Sequence, residues 1–164
     1  VIVATGARAA RPWWAPDDAD WIVDVRDVLE GRAKPEGTVV VLDEIGFHHA
    51  TSVAELVADR GASVEVITPG MVVGQDLGIT LDMENWWMRA GAKGIVQTTD
   101  LVPMGFAGGE LTLLHHPTGV NETRRPDWVV LAVPPNPGEW RVSMAFNAIP
   151  TCPDSGGYKI SFSG

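Results

Sequence analysis

With 164 residues, 45% of them hydrophobic, the chain can bury one core and has the length of a single domain, with room for a fragment of another. A formal net charge of −9, with Arg124-Arg125 as the one basic cluster, argues against nucleic acid and anionic membrane surfaces and leaves small molecules and other proteins as partners. No apolar run reaches the length of a membrane span and no segment reads as a signal peptide. The lone Cys152 allows neither an internal disulfide nor a cysteine-built cluster, so the expected compartment is the cytoplasm.

In chain order, Val1-Ile2-Val3-Ala4 reads as a buried strand that opens the sequence without an initiator Met, as in a piece of a longer protein. Thr5-Gly6-Ala7 is the turn that leaves it, where glycine lets the backbone pass close to another group, such as a cofactor phosphate. Pro12-Trp13-Trp14-Ala15-Pro16 is a loop whose two tryptophans either stack on a ring or cap a core edge. Residues 23–29 read as a strand followed by one helical turn, and 31–37 as a linker.

The next stretch organises the rest. Val39-Val40-Val41-Leu42 is a β-branched and aliphatic run that stops at Asp43-Glu44-Ile45-Gly46; Ala50, Val53, Ala54 and Val57 then recur at helical spacing up to Gly61. Ser63-Val64-Glu65-Val66-Ile67-Thr68 supplies a second strand, so the whole is a βαβ unit of the dinucleotide-binding kind. Of the G-x-G-x-x-G fingerprint that cradles a pyrophosphate, only Gly46 remains.

A glycine-rich loop follows, to about Thr80. Residues 81–90 predict a helix with an acidic first turn, a basic last turn and Gly91 as its stop. Three short strands at 95–98, 101–106 and 110–115 predict a β-meander, and Asp127-Trp128-Val129-Val130-Leu131-Ala132-Val133 resumes a buried strand that Pro134-Pro135-Asn136-Pro137 ends. Beyond 138 the reading is a tail, with 145–149 as a short strand or helix.

Two functional readings of the Asp43 to Phe47 turn stand side by side. In the first, backbone N–H groups at the helix start meet the phosphates of an adenine nucleotide. In the second, acidic side chains repel phosphate, Asp43 bonds the loop, and the pocket is structural. Thr68 stands where Asp or Glu would hold the adenosine ribose diol, which leaves the choice between NAD, NADP and ADP open. His48-His49 and His115-His116 do not form chelating pairs on a strand or helix, and Asp17, Asp18 and Asp20 read as a solvated loop, so no metal site is expected. No nucleophile sits on a G-x-S-x-G turn, Cys152 has no basic neighbour, and no catalytic residue is expected. Asn121-Glu122-Thr123 is a glycosylation acceptor only in a secreted protein.

The order of these pieces, from Ala4-Thr5-Gly6 through the βαβ unit and meander to Asp127-Trp128-Val129-Val130-Leu131-Ala132, resembles the pyridine-nucleotide domain of the two-dinucleotide-domain flavoproteins over residues 1–137. Leu42-Asp43 followed by an aromatic, then Ala50, Ser52, Ala54-Glu55-Leu56 and Gly61, is similar to the trimethylamine dehydrogenase and 2,4-dienoyl-CoA reductase branch, in particular its mycofactocin-associated old-yellow-enzyme-like members. Val64-Glu65-Val66-Ile67-Thr68-Pro69-Gly70 and Asp76-Leu77-Gly78-Ile79-Thr80-Leu81 add to the likeness. The resemblance implies an α/β, Rossmann-like three-layer nucleotide-binding domain with a central parallel sheet and an inserted β-meander. It implies that residues 1–36 are the end of an FAD-type domain and linker, that 37–137 bind NAD(P) or ADP, and that 138–164 are a tail departing from the family. It further implies a parent NAD(P)H-dependent enzyme with FAD, FMN and an iron–sulfur cluster, whose remaining domains are this chain's partners. The cofactor-binding candidates are Thr5, Gly6 and Ala7, with a hinge role by resemblance, and Asp43, Glu44, Gly46, Phe47 and Thr68. Self-association into a homo-oligomer is left open.

Overall fold

The computed structural model describes residues 6–137; the expected strand at 1–4, Cys152 and the tail lie outside the described residues. The chain divides into two compact units, Val1–Ala9 with Pro135–Gly164, and Ala10–Pro134. In the first, β1 (Ala7–Arg8) pairs antiparallel with β10 (Asn136–Pro137).

The second unit is built on a five-stranded parallel sheet in the order β2 (Ile22–Asp24), β9 (Trp128–Ala132), β3 (Thr38–Asp43), β4 (Ser63–Ile67) and β5 (Val96–Thr98). β3 is hydrogen-bonded on both edges and covered on both faces, which is why its sequence is continuously apolar rather than alternating. Helices α1 (Val25–Leu29), α2 (His48–Asp59) and α3 (Met83–Ala92) complete the set. Val53, Val57 and Trp86 pack with Val39, Val41, Val66 and Val130 on one face of the sheet. The opposite face, Val40, Leu42, Ile67, Val129 and Leu131, packs against Leu101, Leu111 and Leu113 of a three-stranded antiparallel sheet. That sheet consists of β6 (Leu101–Ala107), β7 (Glu110–His115) and β8 (Val120–Arg124). The architecture is therefore a Rossmann-like α/β unit of three layers: helices, parallel sheet, antiparallel sheet.

Trp14 is buried in the second cluster whereas Trp13 is 81% exposed, so the adjacent tryptophans divide between core and solvent. Their loop is held by Arg11, whose guanidinium donates to the carbonyls of Pro16, Ala19 and Ile22. The two sheets are joined at one edge by Glu65 on β4, which accepts from Arg124 Nε at 2.9 Å and from Thr98 Oγ1 at 2.7 Å.

Two features differ from the sequence expectation. Residues 96–98 are the edge strand of the parallel sheet, not part of the meander, and the third meander strand is Val120–Arg124. Gly91 lies inside α3, whose C-cap is Lys93. β2 and α1 belong to the same sheet and core as β3. Among the described residues no helix is long and apolar enough to cross a membrane, and no group of three His, Cys, Asp or Glu is arranged to hold a metal ion.

The ends of α2 and α3 share one hydrogen-bonded pattern. After α2, Ala62 N donates to Val57 O and Gly61 N to Ala58 O, with Gly61 at φ +95°. After α3, Ile95 N donates to Ala90 O and Gly94 N to Gly91 O, with Gly94 at φ +67°. The same pair of bonds closes a 3-10 turn (Gln75–Gly78): Asp82 N donates to Leu77 O and Leu81 N to Gly78 O. Here the left-handed position is held by Leu81, at φ +58°. A left-handed non-glycine residue costs about 1–2 kcal/mol, and the Leu81 side chain, 85% exposed, recovers almost none of it by burial. Leu81→Gly is expected to stabilise the fold by about 0.5–1 kcal/mol after the entropy cost of glycine, read as a higher urea midpoint at unchanged slope.

Candidate functional site

The carboxyl ends of β3 and β4 open on a cleft of about 240 Å³, at the place where open α/β sheets bind ligands. Its floor is set by Asp43, the last residue of β3, which is 1% exposed. Asp43 Oδ1 accepts from Gly46 N at 2.8 Å, closing the turn, and Oδ2 accepts from Gly74 N at 2.9 Å, 31 residues on. The turn carbonyl is engaged too: Gly46 O accepts from Asp76 N at 2.7 Å. Gly46 has φ +73° and Gly74 φ +67°; a Cβ on Gly74 would meet Leu77 Cδ1 at 2.9 Å and Thr51 Cγ2 at 3.2 Å. The loop therefore closes over the β3–α2 turn only because glycine stands at 74.

Burial raises the Asp43 carboxyl above its ordinary value of 3.8, against the opposing pull of the Gly74 and Gly46 amides. Glu44 stands at the mouth of the cleft, and partial desolvation raises its carboxyl as well. Thr68, 4% exposed, forms the far wall; its Oγ1 accepts from Gly70 N at 3.1 Å. Loop carbonyls tie this wall to the antiparallel sheet, since Asp100 N donates to Gly70 O and His116 Nε2 to Pro69 O, both at 3.1 Å.

Of the residues read from the sequence as cofactor-binding, the structure brings Asp43, Glu44, Gly46 and Thr68 together in one cleft. Phe47 does not line it; it is the N-cap of α2, packs against the helix-side core and meets the His48 ring edge-on at 4.4 Å. Gly6 and Ala7 belong to the other unit, and Thr5 lies outside the described residues. Gly70, Gln75 and Asp76 also line the cleft and were not singled out as site residues by the sequence; their only signal was the glycine content of the loop that carries them.

The volume is below the roughly 300–1,000 Å³ usual for ligand sites, so the cleft suits one half of a dinucleotide rather than the whole. Among the described residues three carboxylates, Asp43, Glu44 and Asp76, line it, and no Lys or Arg does. The first-turn amides of α2 lack a side-chain cap, which leaves a partial positive charge at the turn's outer edge.

No protein-family model matches the chain. Over 141 residues it is 28% identical to the N,N-dimethylglycine/sarcosine dehydrogenase of Chromohalobacter salexigens, which covers 80% of this chain and 20% of that protein. Over 69 residues it is 36% identical to a probable N-methylproline demethylase of Rhizobium meliloti, covering 42% of this chain and 10% of that one. The chain thus spans about a fifth or less of the length of these relatives.

Among solved structures it superposes on histamine dehydrogenase from Rhizobium sp. 4-9 with a TM-score of 0.70, at 19% identity, covering 80% of this chain and 22% of that one. It also superposes on an engineered water-forming NADPH oxidase bound to NADPH, with a TM-score of 0.58, 14% identity, and 80% and 30% coverage. The FAD-bound cadaverine monooxygenase of Erwinia amylovora gives 0.59, 14%, and 80% and 43%. These likenesses establish the fold as that of FAD- and NAD(P)-binding proteins, and the relatives are oxidoreductases.

The Asp43 latch has a measurable signature. Asparagine offers one acceptor in place of two and leaves one buried N–H unpaired, so Asp43→Asn is expected to cost about 1–3 kcal/mol in urea unfolding. Because the folded-state value of Asp43 is raised, the stability this group contributes is full below 3.8 and declines as pH rises through the folded value. The penalty of Asp43→Asn is therefore expected to be largest in acid and to shrink as pH rises above 3.8.

Proposed function

We propose that this chain is the nucleotide-binding module of a longer flavin-dependent oxidoreductase, of the trimethylamine dehydrogenase and 2,4-dienoyl-CoA reductase kind, and that it binds the adenosine end of NAD(P) or ADP. The observation that carries the reading is the cleft between the carboxyl ends of β3 and β4 in a Rossmann-like sheet. The match to an amine-oxidising dehydrogenase over most of the chain supports the redox assignment.

In this reading the chain's residues bind and orient, and hydride or electron transfer belongs to the bound cofactors. Thr68, Gln75 and the loop backbone meet the nucleoside, and the phosphates lie toward the uncapped first turn of α2. FAD, FMN and an iron–sulfur cluster are placed by the resemblance in the remaining domains, which are the proposed partners of this module.

A second reading, a docking module whose nucleotide site has lost its ligand, is favoured by one specific observation. Asp43 occupies the Gly46 and Gly74 amides, which are donors a phosphate could otherwise use. Calorimetric titration of the chain with ADP, NADH and NADPH decides between the two. Saturable binding of at least one, in the micromolar to millimolar range, is expected; no heat from any of the three at millimolar ligand would leave the docking reading.

A further inference from the structure

The His115-His116 pair is divided between two tasks. β7 ends at His115, whose Nδ1 meets Thr118 Oγ1 at 2.7 Å inside the turn to β8. His116, the next residue, instead puts Nε2 at 3.1 Å from Pro69 O, on the loop after β4. A carbonyl only accepts, so Nε2 carries the hydrogen.

That contact completes a row. Thr68, Pro69 and Gly70 line the far side of the cleft, and their three consecutive carbonyls accept from Leu101 N at 3.2 Å, His116 Nε2 at 3.1 Å and Asp100 N at 3.1 Å. All three donors stand at the ends of β6 and β7, in the antiparallel layer. Proline has no N–H, so position 69 cannot be anchored by an amide of its own. Among the described residues the middle of the row is held by the His116 side chain alone.

Asp100 is the hub of this clasp. Its backbone is left-handed, φ +61°, and in that conformation its N–H meets Gly70 O while its carbonyl accepts from His116 N at 3.1 Å. Its carboxylate accepts from Thr99 Oγ1 at 2.8 Å and lies 3.7 Å from His116 Nε2. A non-glycine residue keeps such a backbone only where its surroundings hold it. Here the surroundings are the cleft wall and the imidazole. His116 itself does not line the cleft, so it acts there only through Pro69.

Resting on the nucleotide-binding reading above, we infer that His116 is a positioning residue: through Pro69 it fixes the 68–70 wall opposite the β3–α2 turn, so that the turn between β7 and β8 sets nucleotide affinity from outside the cleft. Binding groups must be held to within about 0.5 Å of their productive geometry, and a wall freed at its middle carbonyl loses that precision.

The test combines calorimetric titration with ADP and amide hydrogen exchange, on the chain and on two variants. The His116 side chain is 46% exposed, so its truncation leaves no buried cavity. In His116→Ala the ADP dissociation constant is expected to rise at least threefold and exchange at Gly70 and Asp100 to quicken at least tenfold, while Val41 and Val66 in the parallel sheet exchange as before. His116→Gln, whose amide N–H stands near the position of Nε2, is expected to restore both to within twofold. Unchanged affinity and exchange in His116→Ala overturn the inference, as does failure of His116→Gln to restore affinity. Faster exchange that extends equally to Val41 and Val66 overturns it too, since that marks a global loss of stability and not a local clasp. Faster local exchange with unchanged ADP affinity overturns the role in binding. If ADP gives no heat with the unsubstituted chain, the nucleotide reading and the affinity role fall together, while faster local exchange in His116→Ala still supports the clasp.

Discussion

A single buried carboxylate holds the working end of this domain together. Asp43 terminates the central strand of the parallel sheet and takes one hydrogen bond from its own turn, at Gly46, and one from Gly74, which α2 and β4 separate from it in sequence. Burying an ionisable group is unfavourable unless its lone pairs are met, and here each oxygen receives a backbone amide. The turn, the covering loop and the start of α2 thereby become one piece. The return bond from Asp76 N to Gly46 O completes the closure, and Gly74 is the one residue type that lets the loop approach Leu77 and Thr51 so closely.

That closure sets the chemistry of the cleft. A glycine-rich turn normally presents free amides to a pyrophosphate, whereas here two of the amides are consumed internally and the space above them is lined by Glu44 and Asp76. The cleft changes from a donor site into an acceptor site. At the outer edge of the turn α2 still offers uncapped amides. The sheet is shared with FAD- and NADPH-bound proteins, whereas the acidic lining of this cleft comes from its own turn and loop residues.

Much of this framework was legible in the residues. The apolar run at 39–42, the helical spacing of Ala50, Val53, Ala54 and Val57, and the strand at 63–67 give the βαβ unit because period and glycine punctuation are local properties. Strand pairing is not local. Val96-Gln97-Thr98 looked like the first strand of the meander, yet it adds to β4 as the parallel edge, and Val120-Asn121-Glu122-Thr123-Arg124 escaped notice because an exposed edge strand carries no apolar alternation. The site was half legible for the same reason. Asp43, Glu44, Gly46 and Thr68 sit at strand ends that the pattern marks, whereas Gly74 and Asp76 reach the cleft through a loop whose path no periodicity encodes.

The covering loop is also where the fold concentrates its local cost. At one end it depends on a buried carboxylate that loses stability on ionising; at the other, Leu81 sits in a backbone conformation that Gly61 and Gly94 adopt without penalty in the same hydrogen-bonded motif. The cores of the three layers are built mainly from Val, Leu, Ile and Trp86 of the strands and helices, and the segment itself adds Val73 and Leu77 to the helix-side core. The Leu81 penalty, on the order of 1–2 kcal/mol, is small beside a core but comparable to the net worth of a single hydrogen bond. It is borne by the segment that contributes Gln75 and Asp76 to the cleft. Leu81 shares its left-handed backbone with Asp100, at φ +61° before β6, whose N donates to Gly70 O, so both strained non-glycine positions adjoin the loop that lines the cleft.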